Sequence, residues 1–215
     1  MISFLISAIK IIFLLGFLIG IHETGHFLIA KLCKVRVNEF AIGFGPVIWK
    51  KQGKETKYEL RLIPLGGFVN MEGEAEQSEK EGSFTKASIP RRIAIVVAGA
   101  LVNIIFAIIV YFILAMTVRG NLTNAVVGNR VLDADNFENR LYFASYNTKE
   151  FMLSIAESVK QLFTGKVSSA ELVGPVGISE VVAKTNGFRE FIYILSAISI
   201  SLGVTNLLPF PPLDG

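Results

Sequence analysis

Three long apolar stretches dominate the hydrophobic pattern of the chain. The first runs from about Ile2 to Ala30, with Lys10 as its only charge before residue 22. The second, Ile93 to Val118, and the third, Phe191 to Leu213, carry no charge, and prolines interrupt the third near its end. Each can cross a bilayer, which takes about 20 apolar residues. The pattern predicts an α-helical integral membrane protein with three transmembrane segments.

A different pattern fills the region between the first two stretches. Apolar and polar residues alternate in part through VRVNEFAIGF and YELRL, and the polar sequence KKQGKE lies between them. This predicts a small β-hairpin or sheet over residues 34–70, with bends at its glycines, Gly43, Gly45, Gly66 and Gly67. Two interpretations stay open: an ordinary cytoplasmic hairpin, or an exposed strand edge that pairs with a substrate segment.

The remaining segments follow from the same pattern. Apolar positions at helical spacing predict an amphipathic helix from Thr148 to Phe163, lying on the outer membrane surface or packed on the bundle. The expected segments are a first transmembrane helix, a membrane-associated β element, an acidic loop, a second transmembrane helix, an external connection and a broken third transmembrane segment: 1–33, 34–70, 71–92, 93–118, 119–187 and 188–215.

Basic residues set the expected orientation. Lys31, Lys34 and Arg36 follow the first span, and Arg91 and Arg92 precede the second. Because positive residues favour the inner side, we expect the loop 34–92 to be cytoplasmic. A hydrophobic fraction of 52% and a mean hydropathy of +0.54 fit a membrane protein. The net charge of +3 is modest and scattered, which gives no support to a nucleic-acid partner.

Candidate chemistry appears near the end of the first span, in the sequence HETGH. His22 and His26 are four residues apart and share a helix face, so both imidazoles can bind one metal ion. Glu23 is placed to act as a general base toward a water molecule. The alternative is that the histidines are ordinary buried core residues. Polar side chains in an apolar helix are costly without partners, and a metal would satisfy them.

The broken end of the third span offers a third ligand. Asp214 follows three prolines in the sequence LLPFPPLDG, and irregular backbone inside a membrane is tolerated where it lines a cavity. The HETGH motif and Asp214 both fall toward the cytoplasmic side, so they can meet. Two histidines and a carboxylate form a common catalytic zinc set. The alternative is an exposed carboxylate at a helix end.

The motifs together resemble the site-2 protease family of intramembrane zinc metalloproteases, in its bacterial regulator of sigma-E protease branch. Six pieces occur in family order: IHETGHFLIAK, FAIGFGP, LRLIPLGGFVNMEGE, AGALVNIIFA, GPVGI and NLLPFPPLDG. The resemblance implies that His22, His26 and Asp214 bind Zn²⁺ and that Glu23 is the catalytic base. It also implies a multi-pass protein of the bacterial cytoplasmic membrane.

The same resemblance implies how a substrate is held. Asn206 and the proline stretch, Pro209 included, would position an unwound substrate. The β element, with its bends at Gly43, Gly45, Gly66 and Gly67, would receive the substrate as an added strand. The expected partners are membrane lipid and a single-span membrane protein, such as an anti-sigma factor.

Two departures from the family pattern are expected. The segment between the second and third spans leaves no room for a PDZ domain, which needs about 80–100 residues. The chain ends at Gly215, so the fourth transmembrane helix of the family is missing and the sequence reads as a fragment. The physiological substrate and the oligomeric state cannot be predicted.

Two other functions remain open on the sequence. A membrane metal-ion transporter or sensor could use the same histidine and aspartate ligands. Such a protein needs no base beside a ligand, so Glu23 favours the protease. An inactive fragment that acts as a scaffold for membrane partners is the other alternative. In a protease, Asn103 or Asn206 could stabilise the oxyanion.

Overall fold

The computed structural model describes residues 2–76, 78–164, 175–185 and 187–207, and it is mainly helical. Its helices are α1 (Ile2–Leu32), α2 (Ile89–Met116), α3 (Phe137–Phe163), α4 (Pro175–Ala183) and α5 (Phe188–Asn206), with a short 3-10 turn at Phe84–Lys86. Its strands are β1 (Val37–Gln52), β2 (Lys57–Met71), β3 (Val126–Val127) and β4 (Arg130–Val131).

Three of the helices are long and apolar enough to cross a membrane. These are the segment Leu5–Leu32 of α1, all of α2 and all of α5. Large apolar side chains stay exposed along α2, including Ile93, Val96 and Ile105. A protein in water would bury such side chains, whereas lipid accepts them. The three long apolar helices and the small sheet predicted from the sequence are therefore present.

The chain divides into two compact units, residues 1–104 with 202–215 and residues 105–201. In the first unit, the hairpin of β1 and β2 runs alongside α1. Lys31 binds Glu55 at 2.9 Å near the hairpin turn, and the Phe27 ring lies 5.2 Å from the Phe40 ring. Farther along α1, Gly16 lies against Pro64. The contacts thus extend from Gly16 to Lys31 of α1, or about 22 Å at the helical rise.

The hairpin is folded back on itself. Residues 39–42 of β1 pair with residues 67–70 of β2 on one side and with residues 57–60 on the other. Residues 57–60 also pair with residues 49–52. Positive φ angles of 93° at Gly43 and 79° at Gly45 provide the bend, a conformation that glycine adopts without a steric penalty.

A compact loop joins the sheet to α2. Its backbone is bonded to the chain between α1 and β1, where Arg36 N–H donates to Gly82 O, and to the end of β2, where Phe84 N–H donates to Glu72 O. The Ser78 hydroxyl, followed by Asn38 and Lys80, lowers the pKa of Glu72 to about 2. Beneath the loop, Ala30, Val35, Val37, Met71 and Ile95 form a buried apolar cluster. This loop fixes where α2 begins relative to α1.

The second unit contains the end of α2, the strands β3 and β4, the helices α3 and α4, and α5 up to Ser201. Tyr111, Phe151 and Tyr193 bring α2, α3 and α5 together, and the Tyr111 and Phe151 rings stack at 4.1 Å. At the end of α2, the Arg189 guanidinium donates to Leu114 O at 2.6 Å and to Thr117 O at 2.7 Å. The amphipathic helix is therefore packed on the other helices of this unit, which is the second of the two alternatives predicted from the sequence.

That amphipathic helix is longer than the sequence predicts. The expected start was Thr148, whereas α3 begins at Phe137. Polar side chains before Thr148 explain the difference, because several of them have hydrogen-bond partners inside the unit. Asn139 is buried and its amide donates to Asp133 and to Ala134 O, both at 2.8–2.9 Å. These residues break the apolar periodicity without breaking the helix.

Candidate active site

The two histidines of the HETGH motif converge on one point. His22 and His26 lie one turn apart on α1, and their Nε2 atoms are 3.1 Å from each other. His26 Nδ1 lies 2.8 Å from the carbonyl oxygen of Ile95 on α2. A carbonyl oxygen can only accept a hydrogen bond, so Nδ1 carries the proton of the neutral ring. The lone pair of His26 is therefore on Nε2, the form that binds a metal.

Two glycines bring α2 against this face of α1. A side chain on Gly25 would begin 2.7 Å from the carbonyl oxygen of Ala98, so the two backbones are in contact there. A methyl group on Gly99 would lie 2.7 Å from His22 Nε2 and closer still to His26 Nε2. The missing side chain of Gly99 therefore leaves open the space that both imidazoles face.

Asn103 supports the second imidazole. It is fully buried one turn after Gly99, and its side-chain amide lies 3.3 Å from His22 Nδ1. An asparagine amide can present either its NH₂ group or its oxygen to a ring nitrogen. With the oxygen toward Nδ1–H, the lone pair of His22 is on Nε2, as metal binding requires. The amide thus fits the metal-binding form of His22.

Glu23 faces the sheet. A side chain on Gly67 would begin 2.8 Å from Glu23 Cγ, so the glutamate packs directly on the backbone of β2. Gly67 pairs with Ile42 of β1, which places this part of the sheet beside the HETGH motif. Glu23, one residue from a histidine and in contact with the strand through its Cγ methylene, is a candidate for accepting a proton beside that strand.

The residues present fit a zinc ion. Two nitrogen ligands at about 2.0–2.1 Å in a tetrahedral site lie about 3.3–3.4 Å apart, close to the observed separation of the two Nε2 atoms. Within the described residues, no third histidine, cysteine, aspartate or glutamate completes a metal-binding group with them. Asp214, the predicted third ligand, lies outside the described residues, as does Pro209.

The predicted substrate-contacting glycines occupy two places in the hairpin. Gly43 and Gly45 form the bend on either side of Phe44, and the Phe44 ring fills the place that a side chain on Gly66 would need. Gly66 and Gly67 lie on the strand beside Glu23. Phe44 itself stays half exposed, so the bend presents an aromatic ring next to the Gly66–Gly67 backbone.

Asn206 is the last residue of α5. It lies one turn beyond Gly203, where α5 and α2 are in close contact. Gly203 packs on the carbonyl oxygen of Ala100 and on Ile104 of α2. Residues three apart share a helix face, so Asn206 follows Gly203 on the side of α5 that faces α2. Ala100 is next to Gly99, which faces the two histidines. This face of α5 therefore lies at about the same level along α2 as the two histidines.

Comparison with known proteins now decides the family. The model of Peptidase family M50 matches residues 10–215. This chain belongs to peptidase family M50. The family comprises the site-2 proteases and uses zinc, so the chain is a zinc-dependent metalloprotease, and the cofactor predicted from the sequence is confirmed. The resemblance to site-2 proteases is confirmed as well. Membership favours the protease over the metal transporter.

Individual relatives agree with the family. A zinc metalloprotease of Clostridium acetobutylicum is 31% identical over 276 residues, covering 93% of this chain and 81% of the relative. One from Fusobacterium nucleatum is 29% identical, covering 99% of this chain and 86% of the relative. The regulator of sigma-E protease of Escherichia coli is 42% identical over 118 residues, covering 53% of this chain and 26% of that protein.

One functional residue of this M50 peptidase escaped the sequence interpretation. Gly99 reads as a small residue for close helix packing, and nothing local to it points to the histidines about 75 positions earlier. The available signal was the spacing of Gly99 and Asn103, which are four apart and therefore on one face of an uncharged span. That face is the one that α2 presents to His22.

Substituting Gly99 tests whether the metal ion occupies the open space beside the two imidazoles. We expect Gly99→Ala to reduce bound zinc from about one ion per chain to less than about one tenth, because the methyl group would occupy the space between the two Nε2 atoms. Metal analysis of the purified protein measures this. Gly187→Ala is the matched control, since nothing lies within 4 Å of that position. Full zinc content in Gly99→Ala would contradict the assignment.

Asn103 offers an independent test. Asn103→Leu keeps the branched shape of the side chain, with somewhat larger end groups, but removes the bond to His22 Nδ1, so we expect zinc affinity to fall about 10–100-fold. Asn103→Asp keeps an acceptor oxygen and should retain affinity better. Competition against a chelator of known affinity measures the difference. Equal affinities for wild type and Asn103→Leu would show that the amide does not orient the ring.

Proposed function

We propose that this M50 peptidase cleaves a peptide bond within the transmembrane segment of a single-span regulatory protein. The contact between Glu23 and the backbone of β2 at Gly67 carries the proposal, because it puts the candidate base beside a strand. His22, His26 and Asp214 would hold the zinc ion. When bound, zinc supplies Lewis acidity that polarises a peptide carbonyl and lowers the pKa of water.

Glu23 is the proton carrier in this proposal. Its carboxylate accepts a proton from the attacking water and then delivers it to the leaving amine of the substrate. His26 is held by Ile95 O and His22 by Asn103, so neither imidazole has to reorganise during the reaction. Asn206, on the α2-facing side of α5, is a candidate for holding the oxyanion.

The sheet can stabilise a substrate segment that has lost its helical structure. In the described part of the chain, residues 67–70 have a strand partner on one side only, residues 39–42. An extended substrate segment can pair with the other side, and its new strand bonds replace the helical bonds that it loses. Gly43, Gly45, Gly66 and Gly67 keep the bend and the strand free of side chains that would obstruct this pairing.

The location of the hairpin supports a substrate inside the membrane. It lies along α1 from Lys31 to Gly16, so β1 and β2 reach well into the depth that α1 spans. The apolar side chains exposed on the far part of the hairpin suit contact with lipid and include Phe44, Ile48, Trp49, Leu62 and Ile63. We place the protein in the bacterial cytoplasmic membrane. Its substrate is an anti-sigma factor or a similar regulator.

The central test replaces the base. Glu23→Gln is nearly isosteric, so zinc content should match that of the wild type, but the amide cannot accept a proton. We expect the rate of substrate cleavage to fall at least about 10²–10⁴-fold. Coexpression with a tagged single-span substrate, followed by detection of the shortened product in membranes, measures this.

Two comparisons complete this test. Glu157→Gln on the exposed surface of α3 is the control, because among the described residues Glu157 pairs with Lys160 at the surface. Equal product from Glu23→Gln and wild type would eliminate Glu23 as the base. Product from neither, with zinc bound in both, would instead favour the scaffold alternative for this chain.

The orientation is tested by labelling from each side. We expect Lys54→Cys, at the exposed hairpin turn, to be labelled from the cytoplasmic side, and Asn129→Cys, between β3 and β4, from the opposite side. Both substitutions are made in a Cys33→Ser background, which removes the single native cysteine. An impermeant maleimide applied to sealed vesicles of each orientation gives the result. Labelling of position 54 from outside would reverse the topology.

A further inference from the structure

Four charged side chains form a closed network on the sheet, here called the charged quartet: Glu39, Lys57, Glu59 and Arg61. Arg61 donates from Nη2 to Glu59 at 2.8 Å and to Glu39 at 3.1 Å, and from Nε to Glu59 at 3.0 Å. Lys57 is paired with Glu59 and lies 3.9 Å from Glu39. The quartet contains two acids and two bases, so its net charge is zero.

The quartet lies on the face of the sheet that points away from α1. Phe40 and Tyr58 pack on Phe27 of α1, and successive residues of a strand point to opposite faces. Glu39 and residues 57, 59 and 61 therefore share the other face. The side chain of Glu59 is only 2% exposed. The Lys57 ammonium, as the largest influence, holds the pKa of Glu59 below its usual range.

The quartet joins the strand segments whose alignment matters at the active site. Glu39 pairs with Lys57, and Ala41 pairs with both Glu59 and Phe68. The Arg61 guanidinium also lies 5.0 Å from the centre of the Phe68 ring. Phe68 is the neighbour of Gly67, which contacts Glu23. A chain of direct contacts thus leads from the quartet to the strand beside the candidate base.

The strand segment beside Glu23 tolerates one register only. Gly67 faces Glu23 with no room for a side chain, so a shift by one residue would bring Gly66 or Phe68 to this position and reverse every side chain of the segment. Sliding residues 39–42 along residues 57–60 would also take Glu39 away from Arg61 and Lys57, which leaves a partly buried carboxylate without its partners. Sliding residues 67–70 along residues 39–42 would take the Phe68 ring away from the Arg61 guanidinium.

We propose that the charged quartet fixes the register of residues 39–42 against 57–60 and 67–70, and that Arg61 is a positioning residue for the strand beside Glu23. Charge balance is the property that matters, rather than any single ion pair. The consequence for cleavage rests on the proposed function, since it requires the substrate to pair with residues 67–70. The register itself can be measured without a substrate.

Hydrogen exchange of the chain in detergent reports how firmly residues 67–70 stay paired with residues 39–42. In Arg61→Gln, two acids face one base, and we expect the amides of residues 67–70 to exchange at least about tenfold faster than in wild type. The conservative variant Arg61→Lys keeps two acids facing two bases and a cation that can reach Glu39 on the neighbouring strand segment, so its exchange should be at least about threefold slower than in Arg61→Gln. Zinc content should be unchanged in both.

Matched variants keep the test decisive. Glu157→Gln removes a surface ion pair on α3 and should leave exchange at 67–70 as in wild type. If Arg61→Gln does not fold, Glu39→Gln replaces it; it also unbalances the quartet, and its exchange should rise by a smaller factor. Wild-type exchange in each folded variant that unbalances the quartet, or equal exchange in Arg61→Lys and Arg61→Gln, would overturn the proposal.

Cleavage separates this proposal from the proposed function. If the substrate pairs with residues 67–70, kcat/KM for a membrane-embedded substrate should fall in Arg61→Gln and fall less in Arg61→Lys, in parallel with exchange. Faster exchange with unchanged cleavage would support the positioning role of Arg61 and contradict substrate pairing with this strand. Loss of cleavage with wild-type exchange would overturn the positioning role.

Discussion

The contact between the backbones of α1 and α2 at Gly25 and Gly99 is the constraint on which the active site depends. Glycine permits two helices to touch without intervening side chains, and only at that distance can His26 reach the carbonyl of Ile95. The same approach brings Asn103 to His22. Each imidazole is therefore oriented by α2, although both belong to α1. A helix pair separated by ordinary side chains would leave two histidines without fixed ring orientations.

The sheet depends on α1 in a similar way. Gly16 and Gly20 accept Pro64 and Ile42 at close range, and Glu23 lies against Gly67 one turn later. Small residues on one side of α1 thus let the hairpin approach closely, and other small residues of α1 let α2 approach closely. The helix brings the candidate metal ligands and the candidate substrate strand together because both neighbours approach its backbone. Its remaining surface is apolar and suited to lipid.

Local sequence patterns predicted the elements well, and contacts between distant residues explain what they missed. The alternation of YELRL and the turn in KKQGKE predicted a hairpin, and the i, i+4 spacing of His22 and His26 predicted their shared face. The double pairing of residues 39–42 could not be predicted, because it requires the chain to bend at Gly43 and return. The start of α3 at Phe137 was missed because the buried amide of Asn139 is satisfied by residues 133 and 134. Gly99 acquires its importance only when α2 is placed against α1.

Arg189 has a consequence for the C-terminal end of α2. Its guanidinium donates to the carbonyl oxygen of Leu114, in the last turn of α2, and to that of Thr117, just after the helix ends at Met116. A guanidinium is a planar group whose donors have a fixed arrangement, so it binds two acceptors at once and only in certain directions. A lysine ammonium is a compact charge without that directionality. The joint between α2 and α5 is therefore fixed in orientation as well as in distance.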